Sequence, residues 1–188
     1  SVKISDHYSR AANGGVGFAK AAGNYAASFY PSQLAIEEGY EQIIWTDDAT
    51  HEYFEESGTM NVFVRINDTI YTPPTSEKIL DGVTRDSFIQ LAKHRGIDLK
   101  VEPIAVKDVI AAQKNGSLKE VWGVGTAVVT SAFEAIGYQG EKLELPKLGE
   151  EESFALILKK DLVDIQTNQA EDPFGWRVLV ENTITETV

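Results

Sequence analysis

Hydrophobic positions recur along the chain at two spacings, and the spacing changes every ten to fifteen residues or so. From Ser28 to Gly39, Phe29, Leu34 and Ala35 fall at helical intervals before a glycine stop. EQIIWTDD (41–48) is a short apolar block that ends in acidic turn residues, which predicts a strand. MNVFVRINDTIYTPP (60–74) predicts a hairpin, with an apolar run, an Asn-Asp turn, a second short strand and a Pro-Pro stop. TRDSFIQLAKHRG (84–96) carries the strongest helical signal. Thr84 is placed to N-cap it, Asp86 suits the first turn, Phe88, Leu91 and Ala92 form one face, and Gly96 ends it. IDLKVEPI (97–104) alternates as a strand, VKDVIAAQKNG (106–116) reads as a short helix with a glycine stop, and KEVWGVGTAVVTSAF (119–133) is strand-like. A last helix fits about Glu151 to Ile165, and the tail beyond Asn182 is expected to fray. Strands and helices follow no regular βαβ repeat, so the pattern predicts a mixed α/β (α+β) fold in one domain.

Composition narrows the chemistry. The 188 residues carry 29 acids against 17 bases, a formal charge of −12, which disfavours binding to a polyanion such as nucleic acid. No apolar run approaches the roughly 20 residues that span a bilayer, and the first residues do not read as a signal peptide. Without cysteine there is no disulfide framework and no thiolate nucleophile, and His7, His51 and His94 lack metal-ligand spacing. Sequons at Asn67-Asp68-Thr69 and Asn115-Gly116-Ser117 carry no weight without a secretory signal. The expectation is a cytoplasmic protein with no nucleic-acid, membrane or metal partner. The missing initiator methionine suggests a processed or truncated chain.

Four short stretches hold the candidate chemistry. In GGVGFAKAAGNYAAS (14–28) a single lysine, Lys20, sits among small residues that would leave space beside the amine and give no carboxylate to hold its proton. That environment suits a Schiff-base amine, and it also suits a solvated loop lysine. FEESGTMNVF (54–63) places two glutamates at a strand-to-turn junction. Strand neighbours point to opposite faces, so only one of Glu55 and Glu56 can turn inward towards a site. GVTRDSF (82–88) opens a helix with a glycine and a hydroxyl, as a phosphate site does and as a plain N-cap does. GVGTA (123–127) adds a glycine-flanked threonine but fits neither a P-loop nor a dinucleotide fingerprint. An amine, an acid and phosphate-suited turns are together the three kinds of partner that pyridoxal 5′-phosphate requires.

In order and spacing, YSRAANGGVGFAKAAGNYAAS, EESGTMNVF, TPPTSEKILDGVTRDSFIQLA and VWGVGTAVV resemble the motifs of branched-chain amino-acid aminotransferases, enzymes of PLP fold type IV. DPFGWRVLV resembles the family's closing segment. The resemblance implies the large C-terminal domain of the D-amino-acid-aminotransferase-like PLP-dependent fold over residues 1–188, with the small N-terminal domain absent from this chain. It further implies that Lys20 is the Schiff-base lysine and catalytic base, that Tyr25 holds the phenolic oxygen, and that Glu56 rather than Glu55 keeps the pyridine nitrogen protonated. Arg10, Val83, Thr84 and Thr126 would hold the phosphate, and Thr59 and Ala127 the substrate carboxylate. The implied reaction is transamination of leucine, isoleucine and valine with 2-oxoglutarate, in a homodimer. The sequence departs from the family at Asp81, where proline is common, and at Val128 and Ser131, where some members carry a redox Cys-x-x-Cys. D-amino-acid aminotransferase, 4-amino-4-deoxychorismate lyase and a non-catalytic PLP-binding domain stand as alternatives, although GTMNVF and GVGTA favour the branched-chain group.

Overall fold

In a computed structural model, residues 1–178 and 180 form a mixed α/β unit around one ten-stranded sheet. In chain order the elements are β1 (Val2–Ile4), α1 (Ala22–Glu37), β2 (Gln42–Thr46), β3 (Phe54–Ser57), β4 (Met60–Ile66), β5 (Thr69–Thr72) and α2 (Val83–His94). They continue as β6 (Leu99–Val101), α3 (Val106–Lys114), β7 (Leu118–Gly125), β8 (Val129–Ala132), β9 (Ala135–Tyr138), β10 (Glu141–Glu144) and α4 (Phe154–Gln166). The expected mixed α/β (α+β) class is what the structure has. The tail beyond Asn182 lies outside the described residues, as do Leu179 and Glu181.

The sheet runs β10-β9-β1-β2-β3-β4-β5-β6, with β7 paired to β4 and to β8. Strand β4 is its centre. One edge pairs with β7 from Asn61 to Ile66, while the other is shared between β3, at Met60 and Asn61, and β5, at Val64 to Ile66. Between those two partners the sheet divides, and the connection from Pro73 to Gly82 runs past β3 at this point, with Leu80 N–H donating to Glu56 on β3. Here the site is assembled.

Apolar burial covers both sheet faces. Phe63 of β4 stacks on Trp122 of β7, ring centroids 5.5 Å apart, and packs with Phe88 of α2 and Leu158 and Leu162 of α4. A second cluster joins Val62, Val64 and Val121 to Val106 and Val109 of α3 on the opposite face. A third places Ala35 of α1 on Ile43 and Trp45 of β2. The buried Phe88, Leu91 and Ala92 are the face expected of α2.

Several boundaries differ from the sequence expectation. Helix α1 begins at Ala22, six residues before Ser28, because its first turns carry no amphipathic period: Gly23, Ala26 and Ala27 are exposed, and Asn24 is the early residue that buries. Helix α2 begins at Val83, so Gly82 is its N-cap and Thr84 lies inside the first turn instead of capping it. The stretch 119–133 is two strands, β7 and β8, around a Thr126–Val128 turn, and α4 starts at Phe154, capped by Ser153, which accepts from Leu156 N–H. The 67–68 turn matches expectation, with Asn67 at φ 52°. Strands β1, β9 and β10 had no counterpart in the sequence reading.

Candidate functional site

Lys20, Tyr25, Glu56, Thr59 and Arg10 line one small cleft together with Ala19, Asn24, Ser28, Gly58 and Leu80. These residues come from the loop before α1, from α1 itself, from β3 and the β3–β4 turn, and from the strap before α2. The enclosed space is about 20 Å³, room for about one water, so any ring-sized ligand must rest against its open face. Larger cavities of about 630 and 710 Å³ lie elsewhere and contain none of these groups. Chemistry, and not volume, marks the site.

Both glutamates of β3 are buried, each at 3% exposure, and of the two Glu56 lines the cleft. Alternation sends them to opposite faces, and each finds its own cation. Glu56 Oε2 lies 3.0 Å from Arg10 Nε, an ion pair without hydrogen-bond geometry, and Oε1 accepts from Leu80 N–H at 2.7 Å. Burial pushes the Glu56 carboxyl up to about 7, against the opposing pull of Arg10, the Leu80 N–H and Lys20, and neighbouring Glu55 adds to the rise. Glu55 pairs with Lys78 Nζ at 2.7 Å, and burial raises its pKa as well.

Lys20 is exposed, one residue before Ala21, the N-cap of α1. Its loop is tied down by backbone groups. Asn24 Nδ2 donates to both Val16 and Ala19 carbonyls at 2.9 Å, and Phe18 N–H donates to Glu77 O. Gly17 is buried against the strap, where a Cβ would lie 2.7 Å from Lys78 Cα, so close approach of the two chains requires glycine. Arg10 Nη2 donates to the carbonyls of Gly17 and Lys78, while its Nε faces Glu56 as an ion pair.

Val83, Thr84, Thr126 and Ala127 do not line this cleft, but they stand at the same end of the sheet. Asn61 of β4 pairs with Glu56 on one side and with Val124 on the other, and its Nδ2 donates to Leu80 O. Gly82 rests on the Asn61 side chain so closely that a Cβ would meet Oδ1 at 2.1 Å. At Gly125 a Cβ would lie 3.2 Å from Met60 Cγ, which sets the Thr126–Val128 turn beside Met60. Val83 is 82% exposed, Thr126 and Ala127 are exposed, and among the described residues no side chain caps the first N–H groups of α2. The sequence reading assigned no role to Asn24, Asn61, Lys78 or Leu80. Asn24 and Asn61 lie inside the quoted Gly-Asn-Tyr and Gly-Thr-Met-Asn stretches, whereas the Leu80 contribution is a backbone N–H, which no side-chain pattern reveals.

Comparison with known proteins gives the family of the chain. The amino-transferase class IV family matches residues 6–131. Two Bacillus subtilis (strain 168) proteins, branched-chain-amino-acid aminotransferase 2 and branched-chain-amino-acid transaminase 1, are each 41% identical, over 93% and 95% of this chain. The chain spans about half the length of these relatives, 48% and 50%. Among solved structures, the branched-chain amino acid aminotransferase from Escherichia coli superposes with a TM-score of 0.76 at 27% identity, covering 93% of this chain and 55% of that one. The T.th. branched-chain amino acid aminotransferase complexed with N-(5′-phosphopyridoxyl)-L-glutamate gives 0.78 at 25% identity, covering 96% and 56%. These neighbours share the fold type IV architecture. Because the family match encloses every candidate site residue from Arg10 to Ala127, the chain belongs to the amino-transferase class IV family.

Proposed function

We propose that this chain is the cofactor-binding part of a pyridoxal-5′-phosphate-dependent aminotransferase acting on branched-chain L-amino acids and 2-oxoglutarate. The observation that carries the reading is the meeting of Lys20, Tyr25 and the buried Glu56 in one cleft, within the residues that the amino-transferase class IV family matches. The residues fit the group. An exposed amine with small neighbours suits an aldehyde, a half-buried phenol suits a ring hydroxyl, and the Glu56 carboxyl, destabilised by burial, gains from a cationic N–H partner. The uncapped α2 start, which opens on Gly82 and Thr84, together with Thr126 supplies the N–H and hydroxyl donors a phosphate takes.

Bound pyridoxal phosphate supplies an electron-withdrawing ring that acidifies the Cα–H of an attached amino acid. Lys20 Nζ would be the amine that holds the group and the base that takes this proton and gives it back. Glu56 would offer a negative charge to the ring nitrogen, and the Arg10 guanidinium favours that ionised form. This gives Arg10 a role as charge partner of Glu56, with the phosphate left to the Gly82–Thr84 turn and Thr126. Thr59, exposed on the β3–β4 turn at the cleft edge, and Ala127 are assigned to the substrate carboxylate.

The assembly is read as a cytoplasmic homodimer with the small domain on another stretch of polypeptide. Support for a covered face comes from α1, where Phe29 is 72%, Tyr30 64% and Ile36 56% exposed. No helix among the described residues is long and apolar enough to cross a membrane.

The test is borohydride reduction in the presence of pyridoxal phosphate followed by peptide mass mapping. Label on Lys20, abolished by Lys20→Ala, is expected. Absence of label from Lys20 in folded protein sinks the reading.

A further inference from the structure

The strap between β5 and α2 grips the site from both sides. Consecutive residues of β3 are held by strap residues two apart: Glu55 by the Lys78 ammonium, and Glu56 by Leu80 N–H. Lys78 Nζ also pairs with Asp48 Oδ1 at 2.9 Å. The other side of the strap carries the Lys20 loop. Glu77 O accepts from Phe18 N–H, Glu77 Oε2 accepts from Gly14 N–H at 2.9 Å, and Lys78 O accepts from Arg10. Asp48, the second partner of Lys78, accepts from Asn13 N–H of the same loop at 3.4 Å.

The Lys78 side chain is 14% exposed and that of Glu55 4%, so this is a largely desolvated pair and not a surface one. Burial acts against the Lys78 ammonium, but the hydrogen bonds and charges of Glu55 and Asp48 outweigh it and raise its pKa. Glu55 Oε2 has no hydrogen-bond partner among the described residues, so the contact of Oε1 with Lys78 is the carboxylate's direct compensation there. Beside this ammonium, the Leu80 peptide ties the strap to β3 and β4, donating to Glu56 and accepting from Asn61.

We infer that Lys78 is a positioning residue: its ammonium anchors the strap to Glu55 and Asp48, and the anchored strap sets the Lys20 loop in register with Glu56. The inference rests on the reading of Lys20 and Glu56 given above. Lys78 touches no reacting atom. It acts through the strap backbone, which carries the Lys20 loop on one side and the Glu56 carboxylate on the other.

Amide hydrogen exchange on the 188-residue chain without cofactor reads the strap directly, at Gly14, Phe18 and Leu80. Lys78→Met is expected to speed exchange at these amides about tenfold or more and to lower the thermal midpoint. The double variant Lys78→Met/Glu55→Gln removes the unpaired buried carboxylate, so its thermal midpoint returns towards wild type. Its three amides stay fast, and its affinity for pyridoxal phosphate, followed by visible absorbance, stays about tenfold weak or more. Lys78→Arg keeps the cation and restores both. Should Lys78→Met alone fail to fold, the double variant and Lys78→Arg carry the comparison. Wild-type exchange rates at Gly14, Phe18 and Leu80 in the double variant would overturn the inference, because Lys78 would then only compensate a charge. A wild-type chain that takes up no pyridoxal phosphate refutes the functional reading, whereas the exchange rates still decide the strap.

Discussion

Phe63 and Trp122 stack between β4 and β7 with no solvent exposure, whereas Lys20 ends a loop in which Asn13, Gly14, Val16 and Phe18 all face solvent. The first region is held by non-directional apolar burial spread over two helices and several strands. The second is held by a handful of directional contacts: two bonds from Asn24, the Arg10 guanidinium, the Glu77 carbonyl and the close approach at Gly17. Damage to the core should therefore lower global stability. Damage to the loop should loosen the site while most of the fold remains.

The largest effect expected from this contrast is on the core side. Phe63→Ala removes a fully buried ring from between Trp122 and Phe88 and should cost about 3–5 kcal/mol in denaturant unfolding. Any site contacts that survive in the folded fraction should stay native. If amide exchange in the Lys20 loop of the folded protein rises as steeply as in the core, the two regions are not separable.

Next in size is the buried acid. Folded Glu56 keeps its proton up to about pH 7, whereas the unfolded chain loses its own near pH 4.5. The native state binds the extra proton in that window, so this group makes folding less favourable as pH rises from about 4.5 to 7. The full effect is about 3 kcal/mol. Glu56→Gln should flatten this part of the stability–pH curve, measured by unfolding at a series of pH values. An unchanged slope in the variant would mean that another group titrates there.

Smaller still is the loop itself. Gly17→Ala drives a Cβ to within 2.7 Å of Lys78 Cα and carbonyl oxygen, which are backbone and cannot rotate away. The loop must lift, at about 1–3 kcal/mol, with loss of Arg10 bonding to Gly17 and Lys78 carbonyls. Protease cleavage near Lys20 should accelerate more than the global stability loss explains. Equal changes in both would place the loop in the same cooperative unit as the core.

Much of the fold follows from local pattern. Helix α2, helix α3 and the β4–β5 hairpin have clear periodicity and strong stops at Gly96, Gly116 and Asn67-Asp68, so neighbouring residues suffice to specify them. Helix α1 was legible only from Ser28 onwards, because Ala22 to Ala27 have no apolar stripe and are ordered by what surrounds Asn24. Strands β1, β9 and β10 have three or four residues each and gain their form from pairing with one another and with β2. The site divides the same way. Lys20, Tyr25, Glu56 and Thr59 were visible because their motifs are local, while Asn61, Lys78 and Leu80 act across 19, 23 and 24 residues of chain.

The sequence by itself determined the residue types, the placement of α2, α3 and the β4–β5 hairpin, and the resemblance on which the roles proposed for Lys20 and Glu56 rest. It could not determine that both glutamates of β3 would be buried, that Arg10 would stand against Glu56, or that a lysine in the strap would grip Glu55 and Asp48. Those outcomes depend on desolvation and on distances between groups far apart in the chain. Burial and charge proximity exist only once β3, the strap and the Lys20 loop have been packed together.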